Sequence, residues 1–281
     1  MRRHPDWLKV KIGGGETYVK MKSLLRNSKL HTICEEAKCP NIAECFDSGT
    51  AVFLILGDTC TRNCKYCNVK HGKPLPLNPE EPKDVAESVK KLKLKYVVIT
   101  SVTRDDLDDG GAGVFYNTIL ETKRINKDCK IEVLIPDFQG NIKSLKKIID
   151  ANPTIINHNI EVVKDLFPTI RPEGSYKTSL DILKIIKQID NKIKTKSGFM
   201  VGIGENKDQI IQTMNDLRMS NVNFLTIGQY LQPTKNHAVI KKYYTPKAFD
   251  DLRRIALDLG FEHVESGPLV RSSYHAERAM C

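Results

Sequence analysis

Residues 51–67 read AVFLILGDTCTRNCKYC. The apolar run Ala51 to Leu56 is followed at once by Gly57-Asp58-Thr59 and then by Cys60, Cys64 and Cys67. A continuous apolar run of that length, bounded by a turn signal, suits a strand buried on both faces. The cysteines then fall in the loop at the strand's C-terminal end, where parallel α/β folds collect their active sites.

The same pattern recurs along the chain. Candidate strands follow at YVVITSV (96–102), KIEVLI (130–135), TIINHN (154–159), SGFMVGI (197–203) and NFLTIG (223–228). Amphipathic stretches lie between them. EPKDVAESVKKLKL (81–94) places Val85, Val89 and Leu92 on one helical face. Residues 178–190 carry Leu180, Leu183, Ile186 and Ile189, and residues 207–219 carry Ile210, Met214 and Leu217. Residues 246–259 carry Phe249, Leu252, Ala256 and Leu259, with Gly260 as a C′ stop. Strands alternating with helices predict a parallel α/β fold. Six units are too few for a complete eight-fold barrel, so a six-unit partial β/α barrel is expected, with an open doubly wound sheet as the alternative. The expected division is an N-terminal extension over 1–50, the barrel over 51–260 and a C-terminal tail over 261–281.

The triad Cys60, Cys64, Cys67 has the spacing C-x3-C-x2-C. Three thiolates cannot close a structural zinc site alone, and they do not make the four-cysteine run of a bacterial ferredoxin. On a [4Fe-4S] cluster they leave one iron open to a cofactor. A zinc site and a redox cysteine cluster are the competing readings. A second triad, Cys34, Cys39 and Cys45, sits in CEEAKCPNIAEC. It could be a zinc site lacking a ligand, a source of ligands for the first cluster, or the seat of a second cluster. Six thiolates fit two three-ligand clusters better than one four-ligand cluster with two spares. The tail carries RSSYHA, Arg271 to Ala276, which by itself reads as a polar loop.

Composition narrows the class. The chain has 281 residues, 40% of them hydrophobic, a net charge of +10 and eight cysteines. Six cysteines fall between Cys34 and Cys67, which points to metal or cluster ligation in a reducing compartment rather than to a secreted disulfide scaffold. The N-terminal MRRHPDWLKVK has no apolar core behind its arginines, so a secretory signal is not expected. The longest apolar run is too short to cross a bilayer. A cytoplasmic location with no membrane association follows as the expectation. The positive charge fits a lysine-rich surface (Lys83, Lys90, Lys91, Lys93, Lys95) or an acidic protein partner. With no zinc finger, RNP signature or dense basic run, nucleic acid is not the expected partner. The acidic run RDDLDDGG lacks EF-hand spacing and is not read as a Ca²⁺ site.

The C-x3-C-x2-C motif resembles that of the radical S-adenosylmethionine superfamily. Taken with CEEAKCPNIAEC, GDTCTRNCKYC (57–67), YVVITSV-RDDL-DGGA (96–112), NHN-E (158–161), RP-GSY--SL (171–180), QYLQPT--H (229–237) and GPLVRSSYHA (267–276), the chain is similar to the lipoyl synthase family over nearly its whole length. Phe46 departs from the family pattern, where tryptophan is usual, as does Val114 after GGA; Cys129 and Cys281 belong to no family motif.

The resemblance implies a sulfurtransferase. It implies that a cluster on Cys60, Cys64 and Cys67 binds S-adenosylmethionine and passes it one electron, releasing a 5′-deoxyadenosyl radical. Two sulfurs would then enter at carbons 6 and 8 of an octanoyl chain, consuming two S-adenosylmethionine. No general base can deprotonate such carbons, so hydrogen abstraction is required. The resemblance further implies an auxiliary [4Fe-4S] cluster on Cys34, Cys39 and Cys45, completed by Ser273 rather than Ser272, that donates the sulfur. An oxygen ligand is hard beside soft sulfide and could release its iron when the cluster opens. Ser101 and Thr103 are the expected contacts for the cofactor's amino group, Asn159 and Glu161 for its ribose, and Arg171 for its carboxylate. Implied partners are octanoylated lipoyl carrier domains (2-oxoacid dehydrogenase subunits, the glycine cleavage H protein) and a one-electron donor such as flavodoxin or ferredoxin. The competing function is another radical S-adenosylmethionine reaction on a small molecule.

Overall fold

The computed structural model describes residues 4–9, 15, 19, 22–23, 30–37, 39–47, 52–274 and 276. Ala51, His275 and Cys281 lie outside these, as does most of the predicted N-terminal extension before Leu30. The chain folds as two compact units: residues 11–63 with 68–156, and residues 1–10 with 64–67 and 157–281.

In the first unit β1 (His31–Thr32) leads into the short helices α1 (Ile33–Glu36) and α2 (Ile42–Asp47), followed by β2 (Val52–Ile55). A small parallel pair, β3 (Thr59–Cys60) and β4 (Lys70–His71), interrupts the alternation. It resumes with α3 (Glu81–Lys91), β5 (Tyr96–Ser101), α4 (Ala112–Ile125), β6 (Lys130–Leu134) and α5 (Ile142–Asp150). β2, β5 and β6 are parallel neighbours, with Val52 opposite Val98 and Val98 opposite Glu132; β1 runs antiparallel on the outer edge of β2. Phe53, Ile55, Val97, Ile99, Ile131 and Val133 are buried on the strands, and Val85, Val89, Phe115, Ile119 and Ile148 on the helices. The five surface lysines named above are all exposed. Helices α4 and α5 were not singled out by periodicity. α5 starts where the Asn141 side chain accepts the backbone N–H groups of Lys143 and Ser144.

β7 (Ile155–Asn157) lies where the chain passes from the first unit to the second. The second unit continues with α6 (Phe167–Ile170), α7 (Tyr176–Ile189), β8 (Lys194–Val201), α8 (Lys207–Met219), β9 (Phe224–Gln229), α9 (Pro246–Asp258) and β10 (His263–Gly267). β9 is paired in parallel with both β8 and β10. α8 begins with a reciprocal capping box between Asn206 and Gln209, and α9 begins at Thr245-Pro246. Gly260 takes the left-handed conformation, φ +92°, just past α9, as its predicted stop requires.

All six predicted strands form, and the parallel α/β class is the one observed. Two readings change. The face of α7 is Ser179, Ile182, Leu183 and Ile186, while Ile189 is exposed. Strict three-residue spacing walks around a helix, since about 100° per residue puts Leu180 and Ile189 on opposite sides. The tail from Phe261 also contributes a seventh parallel strand, β10, whose sequence HVESG carries little apolar signal.

Candidate active site

In the first unit, two consecutive left-handed residues, Leu56 (φ 69°) and Gly57 (φ 89°), turn the chain from β2 toward Cys60. The Leu56 N–H donates to Glu81 Oε2 at 2.8 Å. Burial raises the Glu81 carboxyl above its usual range, against the pull of the Leu56 and Gly57 N–H groups. Beyond the turn, the Cys60 sulfur accepts the backbone N–H groups of Arg62 and Thr103, each at 3.4 Å. Thr61 binds the Thr103 carbonyl through both its N–H and its hydroxyl, at 3.0 Å each. The loop after β5 is therefore fastened to the first cysteine of the triad. Thr103, an expected cofactor contact, also holds Cys60 through its backbone. Ser101, at the end of β5, has a buried hydroxyl with no hydrogen-bond partner among the described residues. A buried polar group left unsatisfied on a strand end suits a bound ligand.

Charges around this loop are committed inside the unit. Arg62, 6% exposed, makes two forked ion pairs: to Asp105 through Nε (2.6 Å) and Nη2 (2.9 Å), and to Asp137 through Nη1 (2.6 Å) and Nη2 (2.7 Å). Arg104 forks onto Asp106 and donates to the Leu56 carbonyl. Asp109 accepts the N–H groups of Gly111 and Gly113 at the start of α4 and pairs with Lys147. Asp105, Asp106 and Asp109 of the acidic run are thus each engaged by an arginine, a lysine or backbone N–H groups.

The second triad is built on the edge of β2. Thr32 of β1 caps α1, its hydroxyl accepting the Glu35 N–H, and α1 carries Cys34. Cys34 is buried and its thiol lies against the Val52 N–H. Burial, reinforced by the nearby Cys39 and Cys45 thiols, pushes its pKa up to about 12. Cys39 and Cys45 are half-buried, and the Cys39 N–H donates to the Cys34 carbonyl at 3.0 Å. Asn68, directly after Cys67, donates to the Glu36 carbonyl at 3.0 Å and ties the two motifs together along the chain. Among the described residues, no group of three or more His, Cys, Asp or Glu side chains is arranged to hold one metal ion. A cluster sets a different requirement, because each thiolate binds its own iron and the sulfurs stand further apart. Cys39 and Cys45 are both close enough to act on the Cys34 thiol.

In the second unit, Cys64–Cys67 is held by two loops. The Lys65 N–H donates to the Ile170 carbonyl and the Lys65 carbonyl accepts the Ala238 N–H, both at 2.8 Å. His237 Nε2 lies 2.9 Å from the Cys67 carbonyl and Nδ1 lies 2.8 Å from the Thr234 hydroxyl. Nε2 thus carries the proton, and Nδ1 accepts from Thr234. Tyr66 is packed near Glu161, Arg171, Cys64 and Cys67; burial pushes its hydroxyl well above the usual range. Glu161 has φ +72° and is zipped to β8, donating to the Gly198 carbonyl and accepting the Met200 N–H. Burial raises its carboxyl, with Arg171 and Asn159 pulling it down. Asn159 Oδ1 is buried without a partner among the described residues, and a side chain at Gly198 would meet that atom at 3.1 Å. Arg171 donates to the Asn159 carbonyl and the Ser179 hydroxyl and stacks on Phe167. Asn159, Glu161, Arg171 and Tyr66 therefore form one group beside two of the cysteines.

The tail docks at the C-terminal end of β9. Arg271 Nη1 donates to the Gln229 carbonyl at 3.3 Å and to the Val270 carbonyl at 2.7 Å, and the Tyr274 N–H closes a turn onto the Arg271 carbonyl. Half-buried Ser272 and Ser273 sit inside that turn. Arg62, Asp137, His237 and Arg271 were not assigned from sequence. Only their positions inside quoted motifs, or beside a strand end, signalled them.

The Radical SAM superfamily model matches residues 54–217, and a model of the N-terminal domain of lipoyl synthase of the Radical_SAM family matches residues 1–39. Lipoyl synthase of Halalkalibacterium halodurans is 55% identical over 276 residues, covering 98% of this chain and 91% of the relative. That of Caldicellulosiruptor saccharolyticus is 50% identical over 275 residues, covering 98% and 96%. Among solved structures, methylornithine synthase is similar with a TM-score of 0.58 at 13% identity, covering 90% of this chain and 83% of that one. HydG, a maturase of the [FeFe]-hydrogenase, gives 0.57 at 14%, covering 98% and 69%. These structural likenesses show the fold alone. No helix among the described residues is long and apolar enough to cross a membrane.

Proposed function

Since the chain belongs to the lipoyl synthase family of radical S-adenosylmethionine enzymes, we propose that its motifs divide the insertion of two sulfur atoms at carbons 6 and 8 of a protein-bound octanoyl chain between two unequal cysteine triads. When bound, a [4Fe-4S] cluster with S-adenosylmethionine supplies a hydrogen-abstracting 5′-deoxyadenosyl radical. Cys60, Cys64 and Cys67 hold that cluster. The N–H groups of Arg62 and Thr103 support the Cys60 sulfur, and His237 and the Ile170 and Ala238 backbone fix the Cys64–Cys67 segment. Ser101 and Asn159, whose buried oxygens lack partners among the described residues, receive the cofactor's hydrogen-bonding groups. Glu161 orients beside Asn159. Arg171 offers positive charge to a carboxylate while anchored by Ser179 and Phe167.

Cys34, Cys39, Cys45 and Ser273 hold a second [4Fe-4S] cluster, which is consumed as the sulfur substrate. The observation that carries this reading is that Cys39 and Cys45 lie close to Cys34, the Cys39 N–H bonding the Cys34 carbonyl, in a chain whose relatives are lipoyl synthases. A hydroxyl ligand from a tail anchored by Arg271 would let one iron leave while the thiolates stay. The substrates are octanoylated lipoyl carrier domains, including 2-oxoacid dehydrogenase subunits and the glycine cleavage H protein. A flavodoxin or ferredoxin supplies the electron, and a reducing cytoplasm keeps the cluster cysteines as thiols.

The test is an anaerobic reaction with octanoylated lipoyl peptide, dithionite and S-adenosylmethionine, read by mass. The expected product has gained two sulfurs. Cofactor cleavage without sulfur insertion would place the chain with radical enzymes acting on small molecules. Zinc with no acid-labile sulfide after reconstitution would overturn the cluster assignments.

A further inference from the structure

Within the Cys60 loop, one side chain reaches furthest from its place in the sequence. Arg62 stands between the first two cysteines of the triad, yet its guanidinium is buried and shared between Asp105, after β5, and Asp137, after β6. All four donor–acceptor distances are 2.6–2.9 Å, in the forked geometry that makes arginine–carboxylate pairs directional. The same residue's N–H points at the Cys60 sulfur, and the N–H of Thr103, two residues before Asp105, points at it too.

Two consequences follow for a cluster ligated by Cys60. The loop cannot shift without breaking a double fork in a buried site, so both N–H groups stay aimed at sulfur. Cluster potentials respond to nearby charge and to hydrogen bonds at the sulfurs, and an N–H held on a ligating sulfur stabilises the more negative, reduced form.

Resting on the reading that Cys60 ligates the radical-generating cluster, we propose that the Arg62–Asp105–Asp137 clamp is a positioning device that aims two backbone N–H groups at the Cys60 sulfur and thereby tunes that cluster's reduction potential.

The test uses the full-length, anaerobically reconstituted protein and three variants: Asp137→Asn, Asp105→Asn and Arg62→Lys. Asp137→Asn removes one negative charge with little change of shape. Its radical-generating cluster should show a shifted midpoint potential, and S-adenosylmethionine cleavage should slow by about 10- to 100-fold. Arg62→Lys keeps the charge but loses the fork, so the electron paramagnetic resonance signature of that reduced cluster should change. Loss of only that cluster's iron in either variant also supports the clamp. If Asp137→Asn fails to fold, Asp105→Asn carries the same test, because the buried Arg62–Asp137 fork survives in it. The inference is overturned if variants with normal iron, sulfide and melting temperature keep the wild-type potential and spectrum. A Cys60→Ala control separates the two levels: full iron content and normal cofactor cleavage in it would overturn the ligand assignment itself.

Discussion

Replacing Gly228 with alanine tests whether the tail must sit where Arg271 holds it. Gly228 lies in β9, opposite Met200 of β8 and Gly267 of β10. A Cβ there would fall well inside 3.0 Å of the Val270 carbonyl oxygen, 3.2 Å from its carbon and 3.5 Å from Arg271 Nη1. Both Val270 atoms are backbone, so the clash cannot be relieved by turning a side chain. Either β9 or the tail must move. β9 is hydrogen-bonded along both edges, and past β10 the tail forms no strand among the described residues, so the tail yields.

Overpacking of this kind costs about 1–3 kcal/mol. Loss of the Arg271–Gln229 hydrogen bond adds about 1 kcal/mol. At roughly 2–4 °C per kcal/mol, the melting temperature should fall by several degrees without loss of the fold. Function should suffer more. Ser273 lies in the turn that Arg271 opens, and a displacement approaching 1 Å at a reacting group can cost about 10²-fold. The assay is anaerobic turnover with octanoylated peptide, scoring 5′-deoxyadenosine and sulfur-bearing product separately. Gly228→Ala should still form 5′-deoxyadenosine, while the two-sulfur product falls by about 10²-fold and part of the second cluster's iron is lost. Wild-type yield of that product from the alanine variant, at normal iron content, would refute the tail's role.

Three further outcomes are expected. Ser273→Cys should retain the second cluster's iron yet make little product, because a thiolate does not let its iron go; normal turnover would remove the labile-ligand argument. The raised Glu81 carboxyl means that its contribution to stability is fully present below its unfolded value of 4.5 and is lost as pH rises through the higher folded value. The melting temperature of Glu81→Gln should therefore gain on wild type as pH climbs through that window, and a constant difference would contradict the burial argument. Gly111→Ala forces a side chain into φ +89° and against the Leu56 side chain, so it should cost about 2–5 kcal/mol, read by denaturant unfolding; a loss under about 0.5 kcal/mol would show that the turn relaxes freely.

What the sequence disclosed was local. The strand AVFLIL, the cysteine spacings and the stop at Gly260 each depend on neighbours within a few residues, and each was readable. β10 was not, because only Val264 of HVESG is deeply buried and the strand exists by pairing with β9. The faces of α7 and the start of α4 depend on packing and on Asp109, beyond the reach of simple spacing. The site shows the same division. Cys60 announces itself, but Arg62 meets partners 43 and 75 positions away, and His237 meets Cys67 at a separation of 170. Such pairings have no periodicity. A buried arginine reads in sequence like any surface cation.

The two-residue strand β1 has a practical consequence for anyone wishing to shorten this protein. It lies antiparallel against the outer edge of β2, pairing His31 with Leu54 and Thr32 with Phe53. A chain trimmed to begin at Val52 would present the bare amide edge of VFLI to solvent, an open template for another copy to add to. Such a fragment should self-associate as it is made, so the segment bearing Cys34 also acts as a guard against polymerisation.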